Sequence, residues 1–519
     1  MSKKKLGQLA GFEQDPFIDL PLPHEFEGQF KRPSKVLADI PPDFKFNMFW
    51  MGKLCGRLAF DAKEGFWQFK SPNAMDKAMK DAFSPEARKQ IDEKEKIAED
   101  YILSRLTVCE NGLEGTRVPY FVESLMPESW ISNSIKNTLH PSESFDPECA
   151  DRYLSNIVIR PHTRRTPIRV DTREGSLKDS GMIDHRHVFQ GRFDDIFIPG
   201  EDEKANFRLN TYNQFQNYAA LHSSVDAPRM SGVQDKLPAF LSKHGVLKDA
   251  STNSFTHILK FPVSQNNIKR GLCSVEWFST LLAKRCGLET EDFAIAEIPG
   301  FGPVFIAERF DIRESETDTR AILAEDFCSV LGMRRYSKDE ADMVPVIYNV
   351  FDHSTEPHED VRRLIQMAMY AWLIENDDLH LKNMMLVKTY DESMSKTISV
   401  RLAPVYDMVC TSVYNNMNVT RPTLWIMDTH EYSVDLFRNL GRKVGITAEE
   451  INSMARDLIE GIIEHSQDIL QDLPDFILNH SHSLADIEHM LNRVMDKSGR
   501  LSRTMNEVGR KRPRPIGPS

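Results

Sequence analysis

Two residues of this sequence, Asp378 and Asn383, have the types and the spacing of a phosphoryl-transfer site. They lie in the segment ENDDLHLKN, which follows the apolar helical pattern VRRLIQMAMYAWLI and precedes the strand-like run MMLVK. The pattern D-x-x-x-x-N occurs in kinase catalytic loops, where the aspartate orients the substrate hydroxyl and the asparagine holds Mg²⁺. Because the pattern also arises by chance, a capped loop exposed to solvent is the alternative for this pair alone.

The acidic residues of this segment stand at the C-terminal end of the predicted helix. Glu375, Asp377 and Asp378 lie where the helix dipole is negative, which disfavours each carboxylate by roughly 0.3–1 kcal/mol. A purely structural helix end would carry lysine or glycine there. We therefore expect a cation to offset the negative charge.

Two more residues extend the pair into a set. Lys260 lies in the alternating strand pattern FTHILKFP, where a nucleotide enzyme keeps a lysine for the α- and β-phosphates. Asp407 follows an apolar strand in VYDMVCTS, where phosphoryl transfer needs a second metal-holding carboxylate. The alternatives are an edge-strand surface lysine and a turn-capping aspartate. All four residues together, in the chain order Lys–Asp–Asn–Asp, form a kinase-like set that chance explains poorly.

A phosphate-binding loop should precede the lysine, and the segment RMSGVQDKL is the candidate. It contains a single glycine, so it matches neither the Walker A pattern nor the G-x-G-x-x-G loop of protein kinases. A turn with exposed backbone N–H groups could still bind phosphates, and an ordinary β-hairpin is an equal alternative.

The composition indicates a globular protein. The chain has 519 residues, 40% of them hydrophobic and 27% charged, which favours two to four domains over a disordered or fibrous chain. No apolar run approaches the roughly 18–20 residues that span a bilayer, and no apolar segment follows the basic N-terminus, so neither a membrane span nor a secretory signal is predicted. Seven cysteines without a CxxC pair argue against a disulfide framework or zinc ribbon and favour a reducing cytoplasm.

The charge and the patterns along the chain predict an α+β organisation. The net charge of −12 argues against a general nucleic-acid binder, although the C-terminal end is basic. The predicted units are an extended N-terminal arm (1–45), an N-terminal α+β subdomain (46–225), a β-rich nucleotide-binding lobe (226–315), a helical catalytic lobe (316–500) and a basic flexible tail (501–519).

Six motifs together resemble a known family. SGVQDKL, THILKFP, AERFD, AEDFCSVLG, NDDLHLKN and APVYDM occur in the order and spacing of the HipA-like serine/threonine kinases, the toxins of bacterial toxin–antitoxin modules. The resemblance covers roughly residues 225–450, and WMGKLCGRLAFD and PYFVESLMPESW also resemble the family's N-terminal subdomain. It implies a two-lobed, protein-kinase-like (HipA-like) fold with a mixed β-rich N-terminal subdomain and a mostly helical C-terminal lobe.

The resemblance implies a role for each matching residue. Asp378 would be the catalytic base, and Asn383 and Asp407 would hold Mg²⁺. The residues that would bind ATP are Ser231, Gly232, Val233, Gln234, Asp235 and Lys236 of the phosphate loop, Lys260, the adenine-pairing linker Glu308, Arg309 and Phe310, and His380, Lys382, Asn383, Tyr406 and Asp407. Glu276, on the helix after Lys260, would either pair with that lysine, as in protein kinases, or be an exposed helix glutamate.

The resemblance also implies an activity and partners. It indicates an ATP- and Mg²⁺-dependent serine/threonine protein kinase that arrests growth by phosphorylating a cellular protein such as an aminoacyl-tRNA synthetase. A HipB-like helix-turn-helix antitoxin would neutralise it and connect it indirectly to DNA, with no membrane partner. Many members carry an autophosphorylated serine where this chain has Arg229, so Ser231 is the self-phosphorylation candidate. Two alternatives stay open: a small-molecule phosphotransferase, and a weakly catalytic scaffold acting through a DNA-binding partner.

Overall fold

The computed structural model describes the central and C-terminal parts of the chain and shorter segments nearer the N-terminus. The described residues are 45–50, 53–61, 66–71, 74–75, 77–106, 168–171, 191–192, 234, 236–241, 247–249, 257–262, 271–298, 302–311, 321–334, 337–391, 396–414 and 422–510. The predicted N-terminal arm before Lys45 and the last part of the predicted tail, 511–519, lie outside these ranges.

The first sheet consists of four antiparallel strands in the order β3-β2-β1-β4. Its strands are β1 (Lys45–Trp50), β2 (Lys53–Asp61), β3 (Phe66–Lys70) and β4 (Ile168–Asp171). The first three form the meander that their alternation around glycine predicts. Two helices follow it, α1 (Lys77–Lys80) and the highly charged α2 (Pro85–Leu106).

The second sheet has six strands in the order β5-β9-β10-β8-β6-β7. Its strands are β5 (Gly191–Arg192), β6 (Lys236–Leu241), β7 (Leu247–Asp249), β8 (His257–Lys260), β9 (Phe293–Ile298) and β10 (Gly302–Glu308). Strand β8 is central, so Lys260 at its end is paired on both sides, opposite Phe305 of β10 and Lys236 of β6. Lys260 is therefore not an edge-strand lysine.

Helix α3 (Leu272–Arg285) packs against this sheet, chiefly against β10 and β9. Most of its residues are buried because it lies between the sheet and the helices of the C-terminal part. It ends at Arg285 and is followed by Gly287, whose φ of +83° belongs to the left-handed region that glycine enters without a steric penalty.

The rest of the described chain is mainly helical around a small sheet. That sheet consists of β11 (Ala321–Asp326), β12 (Met385–Tyr390) and β13 (Thr397–Leu402), all antiparallel in the order β11-β12-β13. The helices are α4 (Phe327–Val330), α5 (Met343–His353), α6 (Pro357–Leu373), α7 (Val434–Lys443), α8 (Ala448–Gln471), α9 (Asp475–Leu478) and α10 (Ser481–Arg510). This is a mixed α+β architecture, as the sequence predicts.

Helix α6 is the helix that the apolar pattern before ENDDLHLKN predicts, and specific residues fix its start. Pro357 stands at its first position, where the missing N–H costs nothing, and Asp360 in its first turn is fully buried. The Asp360 carboxylate accepts hydrogen bonds from Arg401, from Arg363 and from the backbone N–H of Leu402. The start of α6 is thus fixed to β13, and its other end leads into the segment that contains Asp378.

Helix α10 corrects the predicted start of the flexible tail. Residues 501–510 continue this helix, because Leu501 and Met505 pack against the hydrophobic core. In the part of the chain that the structure describes, none of the helices is long and apolar enough to cross a membrane.

Candidate active site

Three members of the predicted set meet through direct hydrogen bonds. The Nζ of Lys260 lies 2.5 Å from Oδ1 of Asp407, although the two residues are far apart in the sequence. The side-chain amide of Asn383 donates to the other carboxylate oxygen, Oδ2, of Asp407 at 3.3 Å. The negative charge of Asp407 also acts on Asp378 and raises the pKa of its carboxyl. The four residues thus share one region of the molecule, between the second sheet and the helical part.

Lys260 is held between two carboxylates. Besides Asp407, its ammonium contacts Oε1 of Glu276 at 2.5 Å, and both Lys260 and Glu276 are almost completely buried. Desolvation by burial opposes the charge of Lys260, but the negative charges of Asp407 and Glu276 outweigh it and raise the pKa of the lysine. Lys260 is therefore a permanent cation in the ligand-free protein.

Glu276 settles an alternative that the sequence leaves open. It lies on the face of α3 that packs against the second sheet, with 1% of its surface exposed, so it is not a surface glutamate. Burial raises its pKa to about 7, against the opposing effect of the Lys260 charge. The pairing of a strand lysine with a glutamate on the following helix is the arrangement known from protein kinases.

Asp407 has a constrained backbone. Its φ is +56°, in the left-handed region, which is uncommon for residues other than glycine and is enriched at functional sites. Its side chain is about half exposed, at 44%, although one oxygen contacts Lys260. Desolvation acts against its charge, but Lys260 and Lys236 hold the pKa of Asp407 well below its usual range. The carboxylate is therefore ionised and accessible to a ligand.

Asp378 lies on the solvent-exposed side of this region, which is called its open side below. Its side chain is exposed, whereas its backbone is fixed because its N–H donates to Oδ1 of the buried Asn376 at 3.1 Å. The preceding N–H, of Asp377, donates to Oγ1 of Thr411 at 2.7 Å. Desolvation and the negative charge of Asp407 raise the pKa of Asp378, whereas His380 and, to a smaller extent, the positive charge of Lys338 act in the opposite direction. A rigid loop thus presents an accessible carboxylate.

The cation expected beside the helix end is Arg493 of α10. The chain turns sharply after α6 at Glu375, which has a φ of +57°. The Nε of Arg493 donates to Oε2 of Glu375 at 2.7 Å and lies 3.1 Å from Oγ of Ser412. Burial opposes the charge of Glu375, but the hydrogen bonds from Ser412 and Arg493 lower its pKa. Arg493 thus offsets the negative charge directly before the Asp378 loop.

Two further residues of the ENDDLHLKN segment occupy different surroundings. Lys382, in the 3₁₀ turn Leu381–Asn383, is buried, and its Nζ lies 3.1 Å from a carboxylate oxygen of Asp326. Tyr406 donates its hydroxyl to the backbone carbonyl of Lys382 at 2.6 Å. Lys382 and Tyr406 therefore connect the Asn383 turn to the neighbourhood of Asp407, and Lys382 directs its charge toward Asp326.

His380 faces a lysine that the sequence analysis did not single out. Its Nε2 lies 2.8 Å from Nζ of Lys338, and the backbone N–H of Leu381 donates to the carbonyl of Lys338 at 3.2 Å. Desolvation and the positive charge of Lys338 lower the pKa of His380, so the imidazole is neutral. A neutral imidazole accepts the hydrogen bond from the ammonium through Nε2.

The predicted linker follows strand β10. Glu308 ends that strand, its backbone N–H donates to the carbonyl of Asp292 at 2.7 Å, and its side chain is buried. Arg309 forms a two-pronged ion pair with Asp311, at 2.8 and 2.7 Å. The ring of Phe310 lies 5.6 Å from that of Tyr406, beside Asp407. The linker thus borders the same region as the catalytic set.

The predicted phosphate loop is only partly described. Ser231, Gly232, Val233 and Asp235 lie outside the described residues. Gln234 donates its side-chain amide to the backbone carbonyl of Phe261 at 3.2 Å, which fixes it to the end of β8. Lys236, across the strand pair from Lys260, contributes positive charge at Asp407 and Glu276. The described end of the loop therefore reaches the lysine site.

The region that contains the candidate site matches a known protein family. The family model for the HipA-like C-terminal domain matches residues 229–466, which include every described residue of the site except those of α10. Residues 229–466 are therefore similar to HipA-like C-terminal domains. The predicted resemblance is confirmed.

Two curated relatives come from Sinorhizobium fredii. The chain is 25% identical over 281 residues to "Putative kinase Y4mE", covering 52% of this chain and 62% of the relative. It is also 25% identical over 202 residues to "Putative kinase Y4dM", covering 36% of this chain and 45% of the relative. The chain therefore spans less than two thirds of the length of either relative.

A solved structure supports the fold. The HipA toxin of Shewanella oneidensis MR-1, determined in complex with HipB and operator DNA, superposes with a TM-score of 0.59 at 16% sequence identity. The match covers 90% of this chain and 100% of that one. At this identity the similarity establishes the fold, and the predicted HipA-like α+β fold is confirmed.

The oxygen atoms of Asp407 and Asn383 are suitable ligands for Mg²⁺. Asp407 offers an ionised carboxylate and Asn383 an amide oxygen, which are hard oxygen ligands. Among the described residues, no group of three or more His, Cys, Asp or Glu side chains is placed to hold a metal ion. Mg²⁺ in kinase sites is held by one or two protein oxygens together with phosphate oxygens. The residues therefore fit a metal that arrives with a nucleotide.

Three residues near the site escaped the sequence analysis. Glu291, just before β9, is buried near Lys260, and burial raises its pKa to about 8. Lys338 lies beside His380, and Arg493 beside Glu375. Each comes from a segment with no motif of its own, and each becomes relevant only through a tertiary contact. The charge at the end of α6 was the one signal available, and it pointed to a cation without locating it.

Proposed function

We propose that this protein is an ATP- and Mg²⁺-dependent serine/threonine protein kinase of the HipA type. The observation that carries the proposal is the convergence of Lys260, Asp407 and Asn383, with Asp378 at the open side. Phosphoryl transfer in protein kinases uses a strand lysine that pairs with a helix glutamate. It also uses an aspartate and an asparagine that hold Mg²⁺, and an accessible aspartate that orients the acceptor hydroxyl. The HipA-like domain match and the kinase names of both relatives support the same reaction.

Each residue of the site has a task that its surroundings permit. Lys260, as a buried permanent cation, would bind nucleotide phosphates, and Glu276 would hold its ammonium in place. Asp407 and Asn383 would hold Mg²⁺, which when bound would neutralise charge on the phosphate oxygens. The linker Glu308–Phe310 would offer backbone groups to adenine.

The reaction would transfer the terminal phosphoryl group to a hydroxyl oxygen. The bond between that phosphorus and the oxygen bridging it to ADP breaks, and a new bond forms to the acceptor oxygen. Asp378 is accessible and would orient the acceptor hydroxyl and accept its proton. Positioning and electrostatic stabilisation would supply most of the rate enhancement.

The partners follow from the same family. The solved HipA toxin is in a complex with HipB and operator DNA, so we propose a HipB-like helix-turn-helix antitoxin and an indirect connection to DNA for this chain. The substrate would be a cytoplasmic protein such as an aminoacyl-tRNA synthetase, whose phosphorylation would arrest growth. Ser231, outside the described residues, stays the predicted self-phosphorylation site. Peptide mapping after incubation with ATP that finds Ser231 unmodified would remove that prediction.

The deciding experiment is a transfer assay with γ-labelled ATP in a cell lysate. Wild-type protein is expected to label a protein substrate at serine or threonine, identified by mass spectrometry, and Asp378→Asn is expected to label none. Label that enters metabolites but no protein would establish a small-molecule phosphotransferase instead. Cellular activity that survives both Asp378→Asn and Asp407→Asn would establish the scaffold alternative.

A further inference from the structure

The turn that contains Lys338 places a cation next to the proposed catalytic loop. The Nζ of Lys338 lies 2.8 Å from Nε2 of His380, which is two residues from Asp378. The backbone bond from Leu381 to the Lys338 carbonyl fixes this turn to the loop, so the approach of the two side chains is built into the backbone. Within the described ranges Lys338 has no carboxylate within 4 Å, and the hydrogen-bond contact of its ammonium is with His380.

The charge of Lys338 acts on both groups of the loop. It lowers the pKa of His380, and it opposes the rise in the pKa of Asp378. By contrast, Lys260 at the other end of the site is neutralised by two carboxylates, and Lys382 faces Asp326. Lys338 is thus a cation near Asp378 that no ion pair within the described residues offsets.

His380 adds a hydrogen-bond donor that has no acceptor among the described residues. An ammonium can only donate, so Nε2 carries no proton and the proton of the ring is on Nδ1. Nδ1 is buried and has no hydrogen-bond partner within the part of the chain that the structure describes. A buried donor without a partner is costly, and in native structures it has a specific explanation such as a catalytic role or a bound water or ion. Lys338 and His380 thus place two hydrogen-bond donors next to the loop that contains Asp378.

We propose that Lys338 is a further catalytic residue, which contacts the transferred phosphoryl group and stabilises the negative charge on its non-bridging oxygens. His380 would be the positioning residue that holds the ammonium. Lys338 would exchange no proton in the reaction, so the bonds broken and formed are those of the proposed transfer. This inference rests on the proposed kinase function and adds a phosphate-binding group from a segment outside the six motifs.

The test compares binding of Mg·ADP with binding of Mg·ADP·aluminium fluoride, which mimics the phosphoryl group in transit. The main variant is Lys338→Gln, because glutamine can still donate a hydrogen bond to His380 but carries no charge. We expect ADP to bind within about twofold of wild type, while the tightening caused by aluminium fluoride falls by roughly 10²-fold, the effect of removing one preorganised donor. Turnover should fall by a similar factor with little change in the KM for ATP.

Two further variants control the result. Lys338→Arg keeps the charge and should retain most of the tightening, whereas Lys89→Met removes an exposed lysine of α2 and should change nothing. If Lys338→Gln tightens on aluminium fluoride as wild type does while the wild type is an active kinase, this inference alone is overturned. A wild-type protein that neither binds ATP nor transfers phosphate overturns the proposed function together with it.

Discussion

The two ends of the candidate site differ in how their charges are balanced. At the lysine end, Lys260 is enclosed by Glu276 and Asp407, and both oxygens of Asp407 already have partners. At the acceptor end, Asp378 is exposed and Lys338 has no ion pair among the described residues. One end is preorganised before any ligand arrives, and the other has unsatisfied groups. Preorganised positions fix geometry, and unsatisfied ones supply binding energy when the substrate arrives.

The largest expected effect comes from removing either aspartate. Asp378→Asn and Asp407→Asn should each lower turnover by roughly 10²–10⁴-fold, because one removes the group proposed to orient the hydroxyl and the other a proposed metal ligand. The purified variants are measured with labelled ATP and a phosphorylated substrate, and thermal unfolding checks the fold. Full activity in either variant would show that the two ends do not act in one reaction.

Removing Lys260 should damage stability as well as activity. Lys260→Met leaves Glu276 buried without its cation, and breaking a buried pair from one side costs roughly 3–5 kcal/mol. Denaturant unfolding measures the loss. The double variant Lys260→Met/Glu276→Met should recover much of the stability but none of the activity. If the single variant is as stable as wild type, the lysine end is not preorganised in the way described.

Arg493 should have a moderate effect on the acceptor end. Arg493→Met removes a charge-assisted hydrogen bond to Glu375 and should cost about 1–2 kcal/mol in the free energy of unfolding. Because Glu375 directly precedes the Asp378 loop, turnover should fall by up to about tenfold, the equivalent of 1.4 kcal/mol. Arg500→Met, on the exposed face of the same helix, is the matched control. Equal effects of the two variants would refute a special role for Arg493.

The smallest effect concerns pH and Glu291. The pKa of this buried carboxyl is raised to about 8, so its protonated form is favoured by folding. The stability it contributes is present below its unfolded pKa and is lost as the pH rises through about 8. Wild-type protein should therefore lose more stability than Glu291→Gln between pH 6 and pH 9, measured by denaturant unfolding at each pH. Parallel curves for the two proteins would contradict the raised pKa.

The fold and the members of the candidate site could be predicted from the sequence because they depend on local patterns. The alternation of apolar and polar residues predicted strand β8, and the helical spacing of apolar residues predicted helix α6. The motifs around Asp378 and Asp407 occur in the order known from kinases. The pairing of Glu276 stayed undecided, since either face of α3 could have met solvent until the sheet was placed against it. Lys338, Glu291 and Arg493 could not be found, because a lone charged residue gains meaning only from a tertiary neighbour.

Helix α10 matters for anyone who would shorten this protein. The family match ends at residue 466, yet α10 begins at Ser481 and contacts three separate parts of the site. Ser483 meets α3, Asp486 meets the segment after Asp407, and Arg493 meets the turn before Asp378. A recombinant fragment that ends at residue 466 would keep every motif but would lose the α10 contacts that connect these parts of the site. Expression boundaries and purification tags should therefore be placed beyond Arg510.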